Sequence, residues 1–179
     1  MPIAGHGWEM LIERHRNQQR ASDGKIRTVG KYRIFHDGAD SGIAGMTAES
    51  RGPGTNTIKG RRIAPGRYAL WAQDGGKYAT IGHTSNANPS ALRRPSVELK
   101  GTQPRSEILI HPGIGFLASV GCINLCKNLP NAAEPISFPG SRQRVIAMLD
   151  DLKAYLGPSF PDRDGKPIPR AFVVIEGEP

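Results

Sequence analysis

Only two cysteines occur in 179 residues, Cys122 and Cys126, too few for a disulfide scaffold. Four positions apart, they would lie roughly 13 Å from each other on a strand and would be poorly aimed on a helix, so both are expected as free thiols. Aromatic residues make up 6% of the chain, against 22 Gly and 15 Pro, which disfavours a helical bundle and points to a loop-rich β or α+β protein. No apolar run approaches about 18 residues, so no integral membrane segment is expected. The start, Met1-Pro2-Ile3-Ala4-Gly5-His6-Gly7-Trp8, lacks the charged-then-apolar pattern of a signal peptide, and the product is expected to be made as a soluble protein.

Acidic residues are also scarce, 16 against 24 Lys and Arg, giving a formal charge of +8. Such a surface attracts polyanions, whether nucleic acid, lipid headgroups or cell-wall polymers. The basic residues are scattered (Arg14, Arg16, Arg20, Lys25, Arg27, Lys31, Arg33, then Lys59, Arg61, Arg62, Arg67, then Arg93, Arg94) without interleaved aromatics, so nucleic acid is not expected as a partner. The length suits one domain, residues 1–179, with a core that needs no disulfide or metal.

Along the chain, Trp8, Leu11, Ile12 and His15 fit either a short amphipathic helix over 8–19 or an N-terminal strand. Ile26 to Phe35 alternates as one or two strands ending at the turn His36-Asp37-Gly38. Ser41 to Gly60 is Gly-rich and polar and reads as a long loop, a surface connection or a wall of the active site. Arg67–Ala72 and Lys77–Ile81, joined by Asp74-Gly75-Gly76, read as the best hairpin. Short strands are expected at Val97–Leu99, at Glu107–Ile110 leading to His111, and at Ala171–Glu176. One helix is expected over 141–156, with Val145, Ile146, Leu149, Leu152 and Leu156 as its apolar stripe, Ser141 as its cap and Gly157-Pro158 as its stop. The fold class is therefore α+β, mostly β, with one long C-terminal helix.

The chemistry concentrates in Ile108-Leu109-Ile110-His111 and in Ser119-Val120-Gly121-Cys122-Ile123-Asn124, with ten residues between His111 and Cys122. A cysteine is a nucleophile only as thiolate, and its ordinary pKa, near about 8.5, calls for a base or a field of N–H groups. His111 can take the thiol proton and return it to a leaving amine. Gly121 lets the backbone turn sharply and bring N–H groups to a tetrahedral oxyanion. The second nitrogen of His111 needs an acceptor, and the Pro112 carbonyl is the natural candidate.

The strand-ending His followed by Ser-x-Gly-Cys-Ile-Asn resembles the signature of the L,D-transpeptidase catalytic domain of the YkuD type, Ser/Thr-x-Gly-Cys, then an apolar residue, then Arg or Asn. The short His-Pro-Gly crossing is most similar to the compact members that act as interbacterial toxins exported by type VI secretion. The likeness covers about residues 105–126, and Gly60 to Tyr68 resembles the family's Pro-x-Gly-x-Tyr strand start. The resemblance implies a β-sandwich or open barrel and an enzyme without cofactor or metal. It implies Cys122 as nucleophile, His111 as base, Ser119 and Gly121 as shapers of the oxyanion site, and Asn124 beside the bound peptide. The implied substrate is the peptidoglycan tetrapeptide stem, attacked between meso-diaminopimelate and the terminal D-alanine, with L,D-carboxypeptidase action, crosslinking or D-amino-acid exchange as outcomes. A protein of this kind would be made in the bacterial cytoplasm, act in the periplasm or cell wall after dedicated export, and be matched by an immunity protein in its producer.

Two other classes compete: a papain-like peptidase or acyltransferase, which would place its cysteine at a helix N-terminus, and a non-catalytic basic module that binds an anionic polymer. Cys126 reads as a core residue. A zinc site from His111, Cys122, Cys126 and His83 matches no standard ligand spacing and is set aside. His83 is expected on the surface or lining the substrate cleft, and His6, His15 and His36 are expected to be solvated. The Gly-rich stretch over 52–60 lacks the strand, lysine and helix of a phosphate loop.

Overall fold

The computed structural model describes residues 2–179. In chain order its strands are β1 (Trp8–Gln19), β2 (Ile26–His36), β3 (Ala39–Ser50), β4 (Gly66–Trp71), β5 (Tyr78–Ala79), β6 (Arg94–Pro95), β7 (Val97–Lys100), β8 (Ile108–Pro112), β9 (Ile123–Cys126) and β10 (Pro167–Glu176). Eight of them close into a barrel in the order β1, β10, β4, β7, β8, β9, β3, β2. The two short strands β5 and β6 form a separate parallel pair. One helix, α1 (Phe138–Leu156), precedes β10. The mostly β class with a C-terminal helix holds, in the form of a closed barrel.

Residues 8–19 are strand throughout. Trp8, Met10 and Ile12 alternate into the barrel, while Leu11 packs outside with Phe35 and Val174. The β2–β3 hairpin turns where the sequence requires it. Asp37 and Gly38 both adopt positive φ, 48° and 84°, the geometry of a two-residue turn whose twist matches the flanking strands. The polar stretch after it is not a loop over its first half, because residues 41–50 continue β3 and pair with β2 and β9.

The expected hairpin from 67 to 81 does not form. β4 instead pairs with β10 and β7, and Tyr78-Ala79 turns away to pair with Arg94-Pro95. Barrel closure gives β4 a partner on each edge, β10 and β7, which together outweigh one short local one. The helix begins three residues earlier than the sequence suggests. Its cap is Ser137, whose hydroxyl accepts from Gly140 N at 3.4 Å, with a proline in the first turn. Val145, Met148, Leu149, Leu152 and Leu156 bury into the same core as Ile110, Ile123 and Val173. Ser141 is buried and its Oγ accepts the Gly113 N–H at 2.8 Å, tying the helix to the segment that follows His111.

Several cations assigned to the surface by composition alone are interior. Arg14 makes a two-pronged pair with Glu49 at 2.7 and 2.9 Å, both side chains fully buried. Arg27 donates to Gln18 and to the carbonyls of Phe116, Asn131 and Glu134. Arg62 donates to Thr28 at 2.5 Å and pairs with Glu178 at 2.9 Å. His36 is likewise not simply solvated. Its Nε2 lies 2.8 Å from Asp151, which also accepts from Trp8 Nε1 at 2.8 Å, and its ring stacks on Tyr155. No helix among the described residues is long and apolar enough to cross a membrane.

Candidate active site

The parallel pairing of β8 with β9 brings the two halves of the motif together. Its register matches Ile110 with Ile123 and His111 with Asn124, which sets Cys122 beside Leu109, just ahead of β9. Ile108, Ile110, Ile123 and Leu125 point into the barrel core. Strand alternation then turns His111 and Cys122 to the outer face, two positions apart along neighbouring strands, or roughly 8 Å between their Cα atoms. Both line one cleft of about 630 Å³.

His111 is 3% exposed and its Nδ1 lies 2.8 Å from the Pro112 carbonyl, the acceptor the sequence nominates. A carbonyl can only accept, so the proton sits on Nδ1 and the Nε2 lone pair is left as the base. Burial pushes the imidazole pKa down to about 4. The Pro112 hydrogen bond opposes that shift, and the Arg94 charge adds to it. The ring also stacks on Tyr78, with centroids 4.4 Å apart. At neutral pH the base is thus uncharged and held in one tautomer.

The Cys122 sulfur accepts the Leu109 N–H at 3.4 Å and lies 3.6 Å from the Glu107 carbonyl, to which the thiol can donate. Burial raises its pKa. The Leu109 N–H and the Arg105 charge pull it back in part, while the Glu107 charge adds to the rise. The resting pair is therefore a thiol beside a neutral imidazole, not a thiolate beside an imidazolium. Alkylation of Cys122 by iodoacetamide is accordingly expected to be slow at pH 7 and to climb about tenfold per pH unit through pH 9. A reactivity plateau already present between pH 5 and 7 would contradict this ground state. Cys126 sits among Val29, Ala48, Leu129 and Ile136 with its thiol pushed up to about 12 by burial, and it should stay unlabelled while the protein is folded.

The turn before the cysteine is built by Ser119, Gly121 and Arg105. Ser119 Oγ donates to the Cys122 carbonyl at 2.5 Å and accepts the Gly121 N–H at 3.0 Å, so one hydroxyl fixes residues 119–122. Gly121 has φ 128°, and a Cβ there would lie 1.7 Å from Arg105 Nη2. Only glycine lets the guanidinium lie against the chain at this point. Arg105 in turn donates to the carbonyls of Thr55, Arg61 and Val120 at 2.9–3.1 Å, binding the 51–65 loop to the cysteine turn. Ser119 also lines a second cleft, of about 520 Å³, with Arg20, Lys25 and Arg51.

Two expected substrate contacts lie elsewhere. Asn124 is fully buried. Its Nδ2 donates to the carbonyls of His111 and Ala118, and its Oδ1 accepts the Ala118 N–H. It therefore braces the crossing between His111 and Cys122 instead of facing the cleft. His83 is half-buried, with Nδ1 3.3 Å from the Thr84 carbonyl, and is not among the residues lining the thiol cleft. The residues that do line it and that sequence reasoning missed are Lys59, Lys77, Tyr78, Arg94, Arg105 and Glu107. They come from four separate segments, and nothing in their spacing marks them as neighbours. Cys122 leads into a strand and not a helix N-terminus, unlike the cysteine of a papain-like enzyme. No protein-family model, no curated protein and no solved structure matches the chain.

Proposed function

We propose that this protein is a cysteine acyl-transfer enzyme of the L,D-transpeptidase kind, acting on peptidoglycan tetrapeptide stems. The observation that carries the reading is the pairing in one cleft of Cys122 with a neutral His111 whose Nδ1–H is fixed on a backbone carbonyl. A thiol and an uncharged imidazole sharing one cleft supply the two groups that base-assisted thiol attack uses.

In the proposed reaction Nε2 of His111 takes the Cys122 proton as the sulfur attacks the carbonyl of the diaminopimelyl–D-alanine bond. The oxyanion forms against N–H groups of the turn held by Ser119 and Gly121. Collapse breaks the C–N bond, the imidazolium gives its proton to the departing amine, and a thioester to Cys122 remains. Water attacking the thioester completes carboxypeptidase action, a stem amine completes a crosslink, and a free D-amino acid completes exchange. Each returns the proton to sulfur through His111. A toxin role with an immunity partner, and export from the cytoplasm to the cell wall, extend the same proposal.

Trapping the acyl-enzyme tests the mechanism. After mixing with a disaccharide-tetrapeptide and quenching in acid, intact mass should show the stem minus D-alanine bound to the wild type and to Cys126→Ala, and nothing bound to Cys122→Ala. An adduct that persists in Cys122→Ala would move the nucleophile elsewhere.

A further inference from the structure

We infer that Lys59 and Lys77, with Arg94 behind them, form a receptor for the free C-terminal carboxylate of the acyl donor, and so confine reaction to the donor's last peptide bond. The donor's identity rests on the acyl-transfer reading above; the placement of the cations does not.

The thiol cleft carries Lys59, Lys77, Arg94 and Arg105 against a single carboxylate, Glu107. These cations differ in how far they are committed. Arg105 is spent on three carbonyls of the surrounding loops. Arg94 donates to the Ala91 carbonyl at 2.7 Å and lies 4.6 Å over the Tyr78 ring. Lys59 and Lys77 are exposed, and their ammonium groups have no hydrogen-bond or ion-pair partner among the described residues. They come from two separate segments, the 51–65 loop and the turn before β5, and reach the same cleft. Lysine suits such a receptor, since a mobile ammonium with three donors can follow a carboxylate without a preset fork.

An enzyme that removes one terminal residue must read the chain end, and the group that distinguishes an end from an interior residue is the terminal carboxylate, one residue from the scissile bond. Asn124, the position that sequence reasoning assigned to recognition, is sealed inside the protein, so polar recognition falls to groups that face the cleft. The stack of Arg94 on Tyr78 and of Tyr78 on His111 adds a consequence. After burial, and against the Pro112 hydrogen bond, the Arg94 charge helps keep His111 unprotonated. A carboxylate that offsets this charge would make His111 a stronger base once the donor is bound.

The test compares a tetrapeptide ending in D-alanine with the same peptide ending in D-alaninamide. Binding is measured calorimetrically on Cys122→Ala, which removes turnover from the readout. The acid should bind about tenfold or more tightly than the amide, with the preference shrinking as salt rises. Adding Lys59→Gln and Lys77→Gln should bring the two peptides close to equal. Adding Lys31→Gln and Lys127→Gln, which remove the same charge away from the cleft, should leave the preference intact. Equal binding of acid and amide, or an equal loss of preference in both charge variants, overturns the receptor. A retained acid preference with no turnover by the wild type would overturn the acyl-transfer reading and leave the receptor standing.

Discussion

Replacing Cys122 with alanine is expected to lower turnover of a tetrapeptide stem by about 10⁴-fold or more, because the proposed covalent intermediate forms on its sulfur. The change removes one partly exposed sulfur, so the fold should keep its stability. His111→Gln should cost less, about 10²- to 10⁴-fold, since solvent can still deprotonate the thiol slowly. The pH dependence separates the two roles. With His111 pushed down to about 4, the base is available at every pH above about 5, and the acid limb of kcat/KM should fall near 4 instead of near the ordinary imidazole value of about 6.5. The Cys122 thiol, raised by burial, stays mostly protonated near neutral pH, and its small thiolate fraction grows with each pH unit. In His111→Gln the residual rate should therefore rise steadily with pH up to and past 9. An acid limb near 6.5 in the wild type would mean that water reaches the imidazole and that His111 is not held in a dry environment.

Glu49→Ala should be the most damaging single change outside the cleft. Arg14 and Glu49 meet fork to fork with no exposure of either side chain. Burial alone would depress the Arg14 pKa, and the Glu49 carboxylate, with Glu178 behind it, more than reverses that. Removing one member of a buried pair strands the other, at a cost of about 3–5 kcal/mol, enough to consume much of the stability of a domain of this size. Arg14 also donates to the Ile63 carbonyl at 2.8 Å, so the 51–65 loop that Arg105 binds to the cysteine turn would loosen as well. Urea unfolding at pH 7 reads the effect. The double change Arg14→Met with Glu49→Leu should recover most of the loss, because it removes both charges together. A Glu49→Ala variant within about 1 kcal/mol of the wild type would mean that water already solvates the pair.

The legible parts of this fold were those fixed by short-range chemistry. The Asp37-Gly38 turn, the helix with its Gly157 stop and the strand that leads to His111 follow from local residue types. So does the Pro112 carbonyl as the partner of His111, because only a backbone group lies close enough in sequence. What escaped was nonlocal. β1 blurs its own alternation because both faces of its first half are buried, Trp8, Met10 and Ile12 inward and Leu11 under Phe35. β4 carries a turn signal toward β5, yet barrel closure gives it β10 and β7. Arg14, Arg27 and Arg62 look like any scattered basic residues, and only their buried acceptors separate them from surface charge. Arg105 is a single arginine after a proline, and the glycine it covers is the only trace of it in the sequence. Asn124 fits the signature by type, and only the β8–β9 register shows that it faces Ala118 and the His111 carbonyl.

The central claim is that Cys122, with His111, breaks the terminal bond of a peptidoglycan stem. Its most direct test is mass spectrometry of purified tetrapeptide muropeptides after incubation with the wild type, Cys122→Ala and Cys126→Ala. The wild type and Cys126→Ala should remove one D-alanine, or replace it with an added D-amino acid, and Cys122→Ala should leave the peptides unchanged. Unaltered tetrapeptides with the wild type, or the same product from Cys122→Ala, would contradict the claim.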